Sequence, residues 1–455
     1  MGASPDPALL IAKYGGRAPR YTSYPTAVQF SNAVGQDQYR QWLKGLKREN
    51  GAVSLYVHVP FCDVMCWYCG CHTAVVNKRL PVMDYVGRLL KEIDLVADAI
   101  PERLDAASVH FGGGTPNMLT GAEMAEVLAT LGRRFRFSPQ SELAAELDPR
   151  LLSKEWIDEA VRGGLNRASL GVQDFDADVQ AAINRVQPFD LVAESVAWLR
   201  EAGVVSINMD LMYGLPRQTL ASLERTIDQA LSLDADRISL FGYAHVPWLK
   251  SHQKLIDESE LPDPALRYAM QNRAADALEA RGWRRLGLDH FAKPDDSLAL
   301  AAADGSMRRN FQGYTTDAAP VLIGFGASSI GRMPQGYVQN HAAVPKWREA
   351  LDRGELPVAR GLAMTDDDRF RADIIERLMC DFSVDLASVA DQHGRDTAEL
   401  EPSFDALRAM EADGLVVLDK TKIEATRAGR DFIRTICTVF DVHLDREAVR
   451  HSQGV

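Results

Sequence analysis

The sequence predicts an α/β protein. A partial or full (β/α) TIM-like barrel over residues 51–355 follows an N-terminal arm (1–50) and precedes a mainly helical, winged-helix-like C-terminal domain (356–455). Three observations predict it. Strand-like and helix-like segments alternate six times in succession, and parallel neighbouring strands need such crossovers. The alternation stops at 355–368, ELPVARGLAMTDDD. Cysteine and polar residues recur where the strand-like segments end, and barrels place their chemistry at that rim.

The first strand is SLYVHVPF (54–61), and YVGRLLKEIDLVADAI (85–100) follows with apolar residues at helical spacing. ASVHFGG (107–113) precedes GAEMAEVLATLGRRF (121–135), and ELAAELDP (142–149) precedes KEWIDEAVRGG (154–164). NRASLGVQ (166–173) precedes helices reaching Ala202, and SINMDLMYG (206–214) precedes TLASLERTIDQAL (219–231). RISLFGYAHV (237–246) precedes ALRYAMQNRAADALEARG (265–282), and RRLGLDHFA (284–292) and VLIGFG (321–326) read as later strands. Thr365 reads as the N-cap of a helix from Asp366 to about Cys380. A helix ending near Gly414, a short strand, a turn at Asp419–Thr421 and a second strand give the winged-helix pattern. Such units often bind DNA, but the acidic helix LEPSFDALRAMEADG favours a packing role.

The net charge of −12 argues against a general affinity for nucleic acid or anionic membrane. No apolar run reaches the roughly eighteen residues of a membrane helix. The opening MGASPDPALLIAKYGG lacks a signal peptide's basic and apolar segments, and Asp6 stands where myristoylation of Gly2 would want Ser or Thr. These features predict a cytoplasmic protein, where clustered cysteines mean metal or redox chemistry sooner than disulfides.

Four of the six cysteines, Cys62, Cys66, Cys69 and Cys71, lie in CDVMCWYCGC (62–71), just past the first strand. Cys380 and Cys437 stand far away and read as buried apolar residues. Thiolates are soft ligands, and a short loop lets several converge. A closed zinc site would use all four sulfurs, but zinc modules usually split their ligands into two separated pairs. A 4Fe–4S cube normally takes four cysteines, and with three bound one iron stays open.

The Cys-x3-Cys-x2-Cys pattern after a first barrel strand resembles the radical S-adenosylmethionine (SAM) superfamily. The resemblance implies that Cys62, Cys66 and Cys69 hold a 4Fe–4S cluster and that SAM chelates the open iron. One electron then splits SAM into a 5′-deoxyadenosyl radical, while the protein orients the cofactor. The family has no ligand at the position of Cys71. Tyr68 fits the aromatic position before the third cysteine.

Other strand ends carry further candidates. FGGGTP (111–116) lets a ligand approach the backbone closely, or is simply a tight turn. Glu146 and Asp148 end strand three, Gln173 and Asp174 end strand four, Asp210 lies in strand five, and Tyr243 and Ala244 end strand six. Each alone reads as a cap or a solvated residue; their common rim favours a polar site. Arg185 reads either as a solvated helix charge or as a carboxylate clamp.

PRYTSYPTA, YVHVPFCxxxCxYCGC, FGGGTP, NRASLGVQDF, NMDLMYGLPRQT, YAHVP, DHFAKPDD and RRNFQGYTT occur in this order. Together they resemble the oxygen-independent coproporphyrinogen III oxidase family. The resemblance implies an oxidoreductase (coproporphyrinogen dehydrogenase) of haem and porphyrin biosynthesis that converts two propionates of coproporphyrinogen III to vinyl groups, giving protoporphyrinogen IX. It implies two SAM molecules. Tyr56, Gly113, Glu146 and Ile330 would serve the first. Tyr68, Gly114, Thr115, Gln173, Arg185, Asp210 and Ala244 would serve the second. Cys71 would be catalytic. A reductant such as flavodoxin or ferredoxin, a monomeric state, and no nucleic-acid or membrane partner complete the expectation.

Radical chemistry needs a dry, closed site. The arm, with Arg20, Tyr21 and Tyr24, is expected either to cover the barrel mouth as a lid or to strap its outside. Four substrate carboxylates entering an acidic protein need a local positive cluster. Arg20, Lys293, Arg308 and Arg309, each in a segment that reads as irregular, are the candidates. The rival readings are the related radical SAM haem chaperones and a zinc-stapled winged-helix nucleic-acid binder. The former lack the fourth cysteine and the arm, and carry a His-Asn pair absent here.

Overall fold

The computed structural model describes residues 7–444, so the sequence context of Gly2 and Asp6 lies outside the described residues. Its centre is one twelve-stranded sheet. In chain order the strands are β1 (Val53–Val59), β2 (Asp105–Gly113), β3 (Arg136–Leu147), β4 (Arg167–Gln173), β5 (Ser206–Tyr213), β6 (Arg237–Gly242), β7 (Arg284–Leu286), β8 (His290–Ala292), β9 (Val321–Phe325), β10 (Ile330–Met333), β11 (Gly336–Asn340) and β12 (Val358–Ala363). Their order across the sheet is β12-β11-β10-β9-β1-β2-β3-β4-β5-β6-β8-β7. β1 to β6 pair in parallel, and β9 joins the other side of β1 in parallel. The two flanks are antiparallel.

The sheet keeps two edges, so the barrel is partial. Chain order explains why. After β6 the chain turns back as the β7–β8 hairpin, and β8 pairs antiparallel with β6. RRLGLDHFA is therefore two short strands, with Gly287 at φ +53° in the reversal; a Cβ there would lie 2.0 Å from the Tyr314 ring. β6 ends at Gly242, so Tyr243 and Ala244 follow the strand.

Val53, Leu55, Val57 and Val59 are buried on one face of β1 beneath helix Arg79–Asp98. That helix buries one charge, Glu92, whose carboxylate accepts from Gly326 N at 2.7 Å, Asn340 Nδ2 at 2.6 Å and Trp347 Nε1 at 3.1 Å. Burial raises this carboxyl to about 7 against the pull of the three donors, which offset part of the desolvation cost. No helix among the described residues is long and apolar enough to cross a membrane.

The C-terminal unit has its own apolar core, with Phe370, Leu378, Leu407 and Phe432 among its buried residues. Helix Asp366–Asp381 starts in a capping box between Thr365 and Asp368. A small sheet of Ser383–Asp385, Lys422–Ala425 and Val416–Asp419 forms the wing.

The arm divides between the two cores. Tyr39, Trp42 and Leu43 pack with the barrel, whereas Leu10, Tyr14, Tyr21 and Tyr24 pack in the C-terminal unit. Tyr21 donates to Asp441 at 2.9 Å, and Tyr24 Oη accepts from Val442 N at 3.2 Å. Between these anchors Ser31 pairs with Gly361 of edge strand β12, with two backbone bonds of 2.8 Å.

Candidate active site

The C-terminal ends of β1 to β6 open into a cavity of about 790 Å³. The cysteine loop forms one wall and is tied down from two later crossovers. After β4, Ile183 O accepts from Trp67 N at 3.0 Å and Asn184 Nδ2 donates to Met65 O at 2.9 Å. After β6, Lys250, His252 and Gln253 donate to the carbonyls of Cys71, Cys69 and Tyr68 at 2.8, 2.8 and 2.9 Å. Local sequence makes the loop, and distant segments hold it.

Each predicted ligand sulfur has N–H or O–H groups directed at it. Cys62 Sγ lies 3.1 Å from Thr73 Oγ1 and accepts from Thr115 Oγ1 at 3.3 Å. Cys66 Sγ accepts from Arg185 Nη1 at 3.5 Å and Arg150 Nη2 at 3.6 Å. Cys69 Sγ accepts from Cys71 N at 3.3 Å. The Cys71 thiol also donates to Cys69, which holds the Cys69 thiol down to about 6 and raises that of Cys71. Donors favour thiolate, the form that binds metal, although burial outweighs the two hydroxyls at Cys62 and raises its thiol. Cys71 is thus distinguished from the other three, and it stands exposed at the loop's edge.

This donor set fits a cluster better than a single ion. Among the described residues no three His, Cys, Asp or Glu side chains converge closely enough to hold one metal ion. Structural zinc needs that convergence, whereas a cube spreads its ligands over separate irons. The buried Arg185 Nε has no hydrogen-bond partner in the structure. Beside the loop, Gly113 has φ +116°, and a Cβ there would lie 2.7 Å from the His58 ring. A Cβ at Gly114 would meet Thr73 Oγ1 at 2.4 Å. Only glycine keeps this cradle open.

Of the predicted SAM residues, Tyr68, Gly113, Gly114, Thr115, Glu146, Gln173, Arg185, Asp210 and Ala244 line the cavity. Tyr56 and Ile330 are not among the lining residues. Tyr56 sits behind Gly112, stacks on His110 and lies 3.0 Å from His58 Nδ1. Ile330 lies in β10, paired with Gln339. Glu146 Oε1 accepts from His110 Nε2 at 3.0 Å. Burial, with the neighbouring Glu146 charge, pushes the Asp210 carboxyl up to about 6, although Ser169 and Asn208 donate to it. Gln173 takes φ +69° at the end of β4. Arg185 is buried and paired with Asp148 at 3.1 Å.

Residues 56–230 match the Radical SAM superfamily, and residues 364–432 match the HemN C-terminal domain. A relative from Bradyrhizobium diazoefficiens named oxygen-independent coproporphyrinogen III oxidase is 46% identical, covering 98% of this chain and all of its own. The chain belongs to that family. A Pseudomonas aeruginosa relative of the same name is 39% identical, with 96% of each chain covered. The solved Escherichia coli coproporphyrinogen III oxidase (HemN), described as a radical SAM enzyme, is 35% identical with a TM-score of 0.90, covering 97% of this chain and all of that one. The protein is accordingly a radical SAM oxidoreductase, and the partial-barrel fold agrees with that neighbour.

Sequence reasoning missed Arg150, which donates to Asp148 at 2.6 Å as well as to Cys66. Its position directly after Asp148-Pro149, at a strand end, was the available signal. It also missed His58, whose ring burial lowers to about 4 and so keeps neutral. Of the positive candidates, Arg20 lines the cavity. Lys293 does not; it pairs with Asp234 at 2.7 Å. Arg308 and Arg309 lie in a short two-stranded ribbon, Arg308–Asn310 with Gly313–Thr315, rather than in irregular chain. Arg308 lines another cavity of about 730 Å³, beside Arg377 and Asp381, which adjoins the first through Ser54, Asn310, Thr315, Asp317 and Leu322. On the arm, Arg20 faces the cavity while Tyr21 and Tyr24 are buried in the C-terminal core. One segment thus combines the features of lid and strap.

Proposed function

We propose that the protein carries out the oxygen-independent oxidative decarboxylation of two propionates of coproporphyrinogen III, giving the vinyl groups of protoporphyrinogen IX for haem and porphyrin biosynthesis. One observation carries the reading: a chain alike over its whole length to oxidases of this name gathers Cys62, Cys66 and Cys69, with donors at every sulfur, in one cavity with a glycine cradle. When bound, a 4Fe–4S cluster and SAM supply the removal of a hydrogen atom from the propionate side chain.

The chain's residues bind, orient and shield. Cys62, Cys66 and Cys69 hold the cluster, and the N–H groups of Arg150 and Arg185 are directed at the Cys66 sulfur. Tyr56, Gly113, Glu146 and Ile330 serve a first SAM, with carboxylate Glu146 suited to an ammonium group. Tyr68, Gly114, Thr115, Gln173, Arg185, Asp210 and Ala244 serve a second, with Arg185 suited to a carboxylate. Cys71 stands free of the ligand set and acts on the substrate side. Barrel wall, arm and C-terminal unit together exclude water. The division is into arm (1–50), catalytic barrel (51–355) and C-terminal unit (356–455), with edge strand β12 (Val358–Ala363) of the last span still paired in the barrel's sheet. The same reading takes the protein as a cytoplasmic monomer fed by a small reductant such as flavodoxin or ferredoxin, with no nucleic-acid or membrane partner.

The test is an anaerobic assay with coproporphyrinogen III, SAM, a reductant and an electron acceptor that takes up the one electron each substrate radical releases, with products resolved by mass. Loss of two carboxyl groups from the substrate is expected. Unchanged substrate, from protein carrying its full iron and cleaving SAM, overturns the reading.

A further inference from the structure

A second cavity of about 510 Å³ adjoins the first, and Arg20, Phe241, His290 and Gln312 line both. It lies between the ends of β5 and β6, helix Pro264–Ala280, the arm and Arg434 of the C-terminal unit. The two cavities differ in charge. Among the described residues, four arginines line the first against five carboxylates, Glu142, Glu146, Asp148, Asp210 and Asp317. Six arginines, Arg17, Arg20, Arg267, Arg285, Arg309 and Arg434, line the second against one carboxylate, Asp289.

That carboxylate is already engaged, 2.7 Å from His290 Nδ1. Burial would raise it, but the His290 hydrogen bond and the charges of His290, Arg309 and Arg20 hold it down to about 2. Burial, with the charge of Arg20 next, lowers the Arg434 guanidinium to about 10. Some of the positive charge is answered elsewhere: Arg285 donates to Asp431 at 2.9 Å, and Arg17 lies over the Trp248 ring. Arg309 is different. Its Nη2 donates to Arg20 O at 3.4 Å and its guanidinium packs 4.4 Å from the Tyr314 ring centre. Its Nε and Nη1 are buried with no hydrogen-bond partner in the structure. The buried Nε atoms of Arg267 and Arg285 also lack a partner, while Arg267 Nη1 donates to Tyr243 O. Buried donors left unmade are costly, and a guanidinium fork matches a carboxylate.

We infer that this second cavity is a carboxylate subsite, holding propionates of the tetrapyrrole other than the one presented in the first cavity, with Arg309 as principal ligand and Arg20 and Arg267 at its margins. The inference rests on the proposed activity, because it needs a substrate with several carboxylates that spans both cavities. It also accounts for an acidic protein accepting a polyanion: the reacting side chain enters an acid-rich chamber while the other carboxylates lie among arginines.

The experiment is equilibrium binding of coproporphyrin III, the stable oxidised analogue, to cluster-loaded protein, with the porphyrin's tetramethyl ester as a second probe. Arg309→Gln and Arg20→Gln are compared with wild type, each checked for iron content and thermal midpoint. Arg20 is exposed on the arm, so its variant keeps the test open should Arg309→Gln fail to fold. Loss of one charged contact is expected to weaken the tetra-acid about tenfold or more and to leave the ester's affinity unchanged. Wild-type affinity for the tetra-acid in every folded variant overturns the subsite, as does equal weakening of acid and ester. Wild-type protein that does not turn over coproporphyrinogen III overturns the proposed activity instead.

Discussion

Six cysteines occupy two opposite environments. Those of the loop after β1 sit at a polar cavity, with hydroxyl, guanidinium or backbone donors at Cys62, Cys66 and Cys69. Cys380 and Cys437 are buried with apolar neighbours. Burial pushes the Cys380 thiol up to about 12, and that of Cys437 is raised too. The same side chain is a soft metal ligand in one place and a small hydrophobe in the other. Its neighbours decide, through the donors they offer to a thiolate.

The largest test of this contrast is Cys66→Ser. Most bound iron and all detectable turnover should be lost, and Cys62→Ser and Cys69→Ser should behave alike. Full iron in Cys66→Ser, measured against protein concentration, breaks the contrast. Cys71→Ser sharpens it within the loop. This variant should keep its iron and its cleavage of SAM but lose turnover of coproporphyrinogen III. Iron loss would make Cys71 a fourth ligand and close the open iron.

A smaller effect is expected from the donors. Arg185→Met removes one N–H from Cys66 and the partner of Asp148, while Arg150 still serves both. Affinity for SAM should fall about tenfold, as for one charge-assisted contact, with the cluster largely retained. Unaltered SAM affinity by equilibrium dialysis would remove Arg185 from the cofactor site. The smallest effect belongs to the C-terminal pair. Cys380→Ser and Cys437→Ser should leave iron and turnover unchanged and cost about 1–3 kcal/mol of stability, the penalty for burying a hydroxyl. Folded wild-type protein should resist alkylation at both positions at about pH 8, where these thiols stay protonated. Rapid labelling of Cys437 under those conditions would contradict its burial.

Much of this architecture was legible because it is written in local pattern. The alternation of strand and helix segments, the Thr365 cap and the helix-strand-strand order of the C-terminal unit each depend on residues a few positions apart. The cysteine spacing is local too, and so is the placement of Glu146, Gln173 and Asp210 at strand ends. Elsewhere local pattern misled or was silent. RRLGLDHFA has the composition of one strand, yet reverses at Gly287 because the antiparallel hairpin closes over Tyr314. About Glu92 local pattern is silent: the return of β9, β11 and helix Val344–Asp352 brings Gly326, Asn340 and Trp347 onto its carboxylate.

By itself the sequence determined the run of strands and helices from β1 to β6, and which short loops carried sulfur or glycine, because backbone propensity and ligand spacing act within a few residues. Tertiary structure decided three further things. It left the barrel open at both edges. It divided the arm, with Tyr39 and Trp42 in one core and Tyr21 and Tyr24 in the other. It sorted the positive candidates, sending Lys293 to Asp234 and gathering Arg20, Arg267, Arg309 and Arg434 around one cavity. Charge pairing falls off with distance in space, not along the chain. Arginines hundreds of positions apart therefore become one site only when the fold brings them together.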